Sequence, residues 1–260
     1  MSKKLLCLFA GSCGLVVVAL CALPLYAQTT PVKEKAPMYT YVATWQIPRA
    51  HWADVAKSND ADKPILDKAL ADGTLVGYGN DSSVVHQADA ATHDNWWASM
   101  SMAGLMKILE QFMAAGASTN DATTSATKHE DQIFMSRYYN WKSGAYKNGY
   151  TEIAMYKLKR GASNDSLDML SKNLVAPLLE KLLADGTLIE YEIDQLAVHT
   201  EAPGTFWIGY TAAKPEGLDK VNAAIVEVLK ASPLSGPAFD SVTDDSSHRD
   251  LLIRGDGVYK

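Results

Sequence analysis

Two histidines with matching neighbours are the residues of this sequence best suited to proton transfer near neutral pH. His86 and His199 each lie eight residues after a tyrosine, Tyr78 and Tyr191. Because side chains alternate along a strand, each histidine shares a face with its tyrosine. If that face points into a cavity, the four residues are candidates for ligand binding, and the histidines for general-base catalysis. Alternatively, each histidine ends a strand by hydrogen-bonding the backbone of the next loop.

The loop that begins at His86 reads HQADAATHD and contains three further side chains that bind metals, Asp89, His93 and Asp94. Their spacing follows no established metal motif, and the corresponding segment HTEAPG keeps only one histidine and one acid. The sequence therefore predicts no metal site, and these four residues are the candidates should one form. No cofactor is predicted, because Gly-rich phosphate loops, Gly-x-Ser-x-Gly and Cys-x-x-Cys segments are missing from the sequence.

Aromatic and arginine side chains form a second set of candidate ligand contacts. Trp96 and Trp97 are adjacent and must point to opposite faces of a strand, and Trp207 corresponds to Trp97 in the second half of the chain. Such rings line pockets for small apolar ligands, although their commoner use is packing between sheets. Arg137 and Arg254 occupy equivalent last strands, where a guanidinium binds a carboxylate ligand or forms an ordinary salt bridge.

The first 27 residues have the composition of a signal peptide. Lys3 and Lys4 precede an apolar run from Leu5 to Leu23, and Leu25 and Ala27 suit a signal-peptidase site. A retained membrane anchor is the alternative, because a run of about 20 apolar residues spans a bilayer. We expect cleavage, and hence no stable membrane insertion of the mature protein.

All three cysteines, Cys7, Cys13 and Cys21, lie in this leader. Cleavage therefore leaves no thiol or disulfide chemistry, whereas lipid attachment at Cys21 would be a different outcome. Since the leader carries two lysines and no acid, 22 basic and 30 acidic residues remain. This balance disfavours nucleic-acid binding. We expect an exported protein, either periplasmic or secreted.

The segment LADGTL occurs twice, at residues 70–75 and 183–188, which are 113 residues apart. The same offset aligns matching residues over about 40 positions, which is the mark of an internal duplication. Matches at this offset include Pro64 and Pro177, Lys68 and Lys181, and Gly104 and Gly217. We therefore expect one unit at residues 38–145 and a second at 146–260, preceded by a flexible segment at 28–37.

Each unit has the pattern β-α-β-β-α-β. In the first unit, strands are predicted at 39–47, 75–86, 96–102 and 133–141, with a second helix along residues 105–113. In the second unit, leucines spaced by three and four residues mark the first helix. Pro64 and Pro177 should kink or divide the first helix of each unit. Gly73 and Gly186 should end it in the left-handed conformation.

Two successive units of this order resemble the dimeric α/β-barrel superfamily, in which two four-stranded sheets pack face to face with helices outside. The resemblance implies an α+β fold in which two tandem ferredoxin-like units form a pseudo-dimeric α/β barrel within one chain, as a monomer or a homodimer. We expect a small organic ligand to bind in an aromatic-lined cavity. The resemblance also permits a cofactor-independent oxygenase or another small-molecule enzyme. A structural or interaction module without a ligand is the third interpretation.

Overall fold

A computed structural model describes residues 31–116 and 121–260, so the predicted signal peptide lies outside the described residues. Each half of the chain contributes four strands. The strands of the first half are β1 (Met38–Gln46), β2 (Gly77–Ser83), β3 (His93–Ser99) and β4 (Lys128–Trp141). Those of the second half are β5 (Gly144–Lys157), β6 (Glu190–Leu196), β7 (Thr205–Ala212) and β8 (Arg249–Tyr259).

Helices connect the strands on the outside of the sheets. They are α1 (Trp52–Ala71), α2 (Met102–Ala115), α3 (Asp121–Ser125), α4 (Ser166–Leu170), α5 (Ala176–Ala184), α6 (Pro215–Ala231) and α7 (Ser235–Val242). A π-helical turn at Ser171–Val175 joins α4 to α5. Within the described ranges, no helix is both long enough and apolar enough to cross a membrane.

The eight strands close into one antiparallel barrel with the order β1-β3-β2-β8-β5-β7-β6-β4. The first half supplies four neighbouring strands in the order β4-β1-β3-β2, and the second half repeats that order as β8-β5-β7-β6. The halves meet where β2 pairs with β8 and where β4 pairs with β6. The predicted α+β fold and its pseudo-dimeric barrel are confirmed, and closure leaves no strand edge open for aggregation.

The repeated LADGTL segment is the turn that joins a helix to the next strand. Gly73 and Gly186 have φ angles of 79° and 85°, the left-handed conformation predicted for them. In each copy the preceding aspartate accepts a hydrogen bond of 2.9 Å from the threonine N–H. The leucines that follow, Leu75 and Leu188, are fully buried. The duplicated phrase therefore encodes a structural turn.

Several predicted boundaries differ from the structure, and β2 spans Gly77–Ser83 instead of the predicted 75–86. The helix α1 continues through Pro64, because the carbonyl that the proline leaves without a partner belongs to the exposed residue Asp60, where water can solvate it. In contrast, Pro177 lies in the first turn of α5, directly after the π-helical turn. The strands β3 and β4 both begin earlier than predicted. The start of β4 was missed because its first residues are exposed and polar and lack an apolar pattern.

Candidate functional site

The interior of the barrel holds a cavity of about 170 Å³ that is lined by residues from all eight strands. Two kinds of side chain dominate its wall. Five are aromatic, namely Trp96, Phe134, Tyr146, Trp207 and Tyr259. Six are acidic residues, namely Asp81, Asp94, Glu190, Glu192, Asp194 and Asp256. The cavity is therefore both aromatic and acidic, and its residues come from both halves of the chain.

Two of the acids face each other in the first half. Asp81 of β2 is paired directly with Asp94 of β3, and the indole Nε1 of Trp96 donates to Asp81 Oδ2 at 3.0 Å. Burial raises the pKa of Asp81 to about 6. Burial, and then the charge of Asp81, raise the pKa of Asp94 well above its ordinary value. Such a pair holds a proton between two carboxyl groups near neutral pH.

Three acids follow one another on the inner face of β6, at Glu190, Glu192 and Asp194. Thr211 Oγ1 donates to Glu190 Oε2 at 2.8 Å, and Ser136 Oγ contacts both Asp194 and Glu192. Burial is the main cause that raises the pKa of all three, for Glu192 to about 7. The second half therefore also presents one carboxyl group, Glu192, that titrates near neutrality, beside two others whose pKa values are raised.

Glycines create the space that these side chains occupy. A Cβ atom on Gly79 would lie 2.6 Å from the Trp96 ring, and one on Gly255 would overlap the Asp81 carboxyl group. By contrast, a Cβ atom on Gly209 would meet nothing nearer than 4.0 Å. Gly209 therefore faces the open part of the cavity. Leu251, another residue of the cavity wall, lies near the start of β8 and is 43% exposed. The cavity therefore opens to solvent near the start of β8.

The prediction that the face carrying Tyr78 and Tyr191 points into the cavity is wrong. Both tyrosines lie on the outer face of the barrel, where the helices pack. Tyr78 donates to Asp67 Oδ1 of α1 at 2.5 Å, and Tyr191 donates to Glu180 Oε1 of α5 at 2.7 Å. The opposite face of each strand lines the cavity, because the helices cover the tyrosine side.

The structure also separates the two histidines from the cavity. His86 is exposed beyond the end of β2, with its ring 5.2 Å from that of Trp52. His199 is exposed as well and lines a surface pocket of about 50 Å³ together with Glu201. Neither histidine is among the residues that line the barrel cavity. A role for them in ligand binding remains a prediction without support from this geometry.

The adjacent residues Trp96 and Trp97 point to opposite faces of β3, as the alternation of side chains predicts. Trp97 faces outward, where its ring stacks on Tyr41 at a centroid distance of 4.3 Å and contacts Phe112 of α2. Its neighbour Trp96 faces the cavity, and so does Trp207. Of these candidate ligand contacts, Trp207 lines the cavity, whereas Trp97 belongs to the core beneath a helix.

The arginines and the histidine-rich loop do not converge on the cavity. Arg137 is exposed and pairs with Glu34, and the guanidinium of Arg254 lies over the Tyr150 ring at 5.6 Å. Of the metal candidates, Asp89 pairs with Lys128 on the surface. The other three are no closer to a common site, because Asp94 enters the barrel while His86 and His93 flank Trp52. Among residues 31–116 and 121–260, no three histidine, cysteine or acidic side chains are placed to hold a metal ion.

The acids of β6 are the site residues that sequence reasoning missed. They occupy every second position of the segment EYEID, between the outward-facing Tyr191 and Ile193. A strand that alternates acidic and large apolar residues is ordinarily read as half solvent-exposed. The available signal was that the predicted barrel buries both faces of each strand, so that an alternating acid must point into the interior.

No protein-family model matches this chain, and a comparison with curated proteins finds no match. Solved structures share its fold. A provisionally assigned monooxygenase from Lactobacillus acidophilus has a TM-score of 0.60 at 10% identity, over 85% of this chain and 94% of that one. An anthrone oxidase-like protein has a TM-score of 0.51 at 10% identity, over 85% and 92% of the two chains. A provisionally assigned monooxygenase from Fusobacterium nucleatum has a TM-score of 0.51 at 6% identity, over 87% and 95%.

These neighbours are of the dimeric α/β-barrel type, and the arrangement of two ferredoxin-like halves around one barrel agrees with that type. At such low identity the similarity shows the fold alone. Any activity must be argued from the side chains of this chain.

Proposed function

We propose that this protein binds a small organic ligand inside its barrel. The observation that carries the proposal is the cavity itself. Protein interiors are packed as closely as organic crystals, so an interior space of about 170 Å³ is a departure that a ligand explains. The space is smaller than the roughly 300–1,000 Å³ of sites for drug-sized molecules. The proposed ligand is therefore small.

The wall of the cavity supports the same proposal. Ligand sites combine apolar and aromatic surface with a few polar groups that fix the orientation of the ligand. Here Trp207 and Phe134 pack edge to face at 4.9 Å and give one aromatic side, while the acids of β2, β3 and β6 give the polar groups. A purely structural barrel would gain more by filling this space with apolar side chains, since buried carboxyl groups are costly.

The test is native mass spectrometry of the protein produced from the full chain in an exporting bacterial host, before and after denaturation. We expect a small molecule that is lost on denaturation. The Gly209→Trp variant should lose it, because the new ring would occupy the open part of the cavity. The matched control is Val226→Trp, which places the same ring on the exposed side of α6.

The outcomes separate the interpretations. A molecule retained by Val226→Trp and lost by Gly209→Trp supports a ligand inside the barrel. A molecule retained by both variants lies elsewhere and contradicts the proposal. If neither the wild-type protein nor the variants carry a molecule, and the wild type binds nothing from a mixture of small metabolites, a structural module becomes the better interpretation. The mature mass from the same spectra tests the proposed cleavage after Ala27.

A small-molecule enzyme is the second candidate, and the Asp81–Asp94 pair favours it. Two carboxyl groups that hold one proton supply an acid and a base on neighbouring atoms near neutral pH. The names of the oxidase-like and monooxygenase neighbours are compatible with this candidate. The two histidines proposed as bases from the sequence lie outside the cavity, so the acids are the better candidates for proton transfer.

The enzyme candidate is tested by incubating the protein with a mixture of small metabolites in air and following each compound by mass spectrometry. We expect one compound to be consumed by the wild-type protein and spared by Asp94→Asn, which removes the shared proton site but keeps the size of the side chain. Binding without consumption would leave the ligand-binding proposal intact and remove the enzymatic one.

A further inference from the structure

The charge of the cavity wall is entirely of one sign. Six acidic residues line it, and among its described lining residues there is no lysine, arginine or histidine. One of the six, Asp256, has a carboxylate that accepts the backbone N–H of Asn148 at 2.8 Å. A buried acid either pairs with a cation or keeps its proton, and the described lining of this cavity supplies no cation.

The donors that these acids do have are neutral and incomplete. Glu190 and Asp194 are only 7% and 8% exposed. Thr211 bonds one oxygen of Glu190, and Ser136 bonds one oxygen of Asp194. From the described residues, the other oxygen of each carboxyl group, Glu190 Oε1 and Asp194 Oδ2, receives no hydrogen bond. Each of these two carboxyl groups therefore keeps one oxygen open to the cavity, where water or a ligand can donate a hydrogen bond to it.

The aromatic rings next to the acids narrow the class of ligand further. The flat faces of tryptophan and tyrosine attract cations. Burial, and then the nearby charges of Glu190, Glu192 and Asp81, raise the pKa of the Tyr259 hydroxyl. The acids sit on β2, β3, β6 and β8, on two sides of the barrel, and they form no cluster suited to a metal ion. Separated acids between aromatic rings suit an organic cation better than a bare metal.

We propose that the ligand of the barrel cavity is a small organic cation, a protonated aliphatic amine that donates hydrogen bonds to the β6 acids and packs against Trp207 and Trp96. This inference rests on the proposed function, since it names the ligand class of the same cavity. The amine supplies the donors and the positive charge that the cavity wall lacks. Its carbon chain occupies the space in front of Gly209.

The ionisation of the acids makes this binding depend on pH. Burial raises the pKa of Asp81 to about 6 and that of Glu192 to about 7, so the empty cavity loses much of its charge in mild acid. The groups that face these two acids are Asp94, Glu190, Asp194, Asp256 and Tyr259, with Tyr146 on β5. The residues that β1, β4 and β7 contribute to the wall carry no titratable group.

Isothermal titration calorimetry with 1,4-diaminobutane tests the inference, and 1,4-butanediol is the matched neutral probe. At pH 8 we expect the diamine to bind at least about tenfold more tightly than the diol, since hydrogen bonds to charged groups are the stronger ones. For the wild-type protein, affinity should fall about tenfold or more between pH 8 and pH 5 as the acids become protonated. These two measurements need no variant.

Isosteric variants locate the binding. Glu190→Gln and Asp194→Asn keep the acceptors for Thr211 and Ser136 but remove the charge, so each should weaken diamine binding about tenfold. Glu227→Gln removes an exposed charge from α6 and should change the affinity by less than about twofold, because exposed charges are screened. Thermal melting of each variant checks that it is folded.

Several results would overturn the inference. Equal affinity for the diol and the diamine contradicts a cationic ligand, as does diamine binding that is unchanged in both carboxyl variants. Binding of MgCl₂ in place of the amine would identify a metal ion as the occupant. If native mass spectrometry finds a neutral or anionic molecule in the barrel, the inference fails while the proposed function stands. If Gly209→Trp binds the diamine as the wild type does, the cavity is not the site of amine binding.

Discussion

Tyr78 in the first half and Tyr191 in the second make the same contact on the outside of the barrel, a hydroxyl that donates to a carboxylate of the helix above it. Inside the barrel, the equivalent strands differ. In the first half Gly79 is paired with Trp96, and in the second half Glu192 is paired with Gly209. In the first half the glycine of this pair lies on β2, whereas in the second half it lies on β7. The carboxylic acid Glu192 therefore occupies the position on β6 that corresponds to Gly79 on β2.

This difference shows which duplicated residues are structural. The turns and the tyrosines are repeated because each half needs the same packing of helix on sheet. The interior is shared by both halves, so its residues need only fill or shape one common space. Asp81 and Asp194 are the exception, since they are equivalent acids that both line the cavity. The candidate site therefore arises where the halves diverged.

The largest effect is expected from adding one methyl group at the two glycines. Gly79→Ala would place a Cβ atom 2.6 Å from the Trp96 ring and should lower the free energy of unfolding by about 3 kcal/mol, the cost of overpacking. Gly209→Ala meets no atom closer than 4.0 Å and should change the free energy by less than about 1 kcal/mol. Urea unfolding measures both.

The comparison of the halves fails if the two alanine variants have the same stability. Trp96→Phe combined with Gly79→Ala provides the control, because a smaller ring should recover part of the loss at Gly79. No recovery would show that the backbone of β8, which also approaches Gly79, causes the strain.

The next effect is the pH dependence of stability. The pKa of Asp81 is raised to about 6 and that of Glu192 to about 7 by burial. In the range between the unfolded and folded values, the folded protein binds more protons than the unfolded chain. Stability contributed by these groups is therefore lost as pH rises. For the ligand-free protein we expect a loss of about 2 kcal/mol between pH 4 and pH 7, or roughly 4–8 °C in melting temperature.

A single variant measures the contribution of one β6 acid to this pH dependence. Glu192→Gln should flatten the pH dependence, whereas the exposed Glu227→Gln should leave it unchanged. His93 acts in the opposite direction, because burial lowers its pKa and stability is lost as pH falls. The difference between wild type and Glu192→Gln therefore measures the acid alone. Equal slopes for the two proteins would contradict the prediction.

A smaller effect is expected from removing the repeated hydroxyl groups outside the barrel. Tyr191 is fully buried, and Tyr191→Phe should cost about 1 kcal/mol, the net value of one hydrogen bond. Tyr78→Phe should cost less, since Asp67 retains its ion pair with Lys63 at 2.7 Å. Neither change should alter ligand binding by more than about twofold. A tenfold loss of binding in either variant would show that the outer layer controls the cavity.

The sequence was sufficient for the fold because the fold depends on repeated local signals. The LADGTL turn, the leucine spacing of the first helix and the aromatic strands each occur in both halves, and a duplicated pattern of β-α-β-β-α-β has few compact solutions. The closed barrel follows from that order. The sequence did not predict that α1 continues through Pro64, because this continuation depends on the exposure of the Asp60 carbonyl group.

The candidate site was only partly predictable. Trp207 was a candidate ligand contact and lines the cavity, whereas the candidates Tyr78 and Tyr191 lie on the faces of β2 and β6 that the helices cover. In this chain, repeated residues such as Tyr78 hold helices, and the interior acids have mostly unlike counterparts. Which face of a strand the helices cover is a tertiary property that alternation alone does not determine.

The smallest effect on stability and binding is expected at His86 and His199, the two residues that the sequence suggested for proton transfer. His86→Ala and His199→Ala change exposed side chains that do not line the barrel cavity, so each should alter stability by less than about 0.5 kcal/mol and leave the bound molecule in place. Native mass spectrometry of the double variant measures this directly. Loss of the molecule from the double variant, with the fold intact, would move the site from the acidic interior to the strand ends and restore the histidines as ligand-binding residues. Retention of the molecule, together with its loss from Gly209→Trp, would assign binding to the interior, where the halves differ, and leave the repeated histidines as part of the loops that follow β2 and β6.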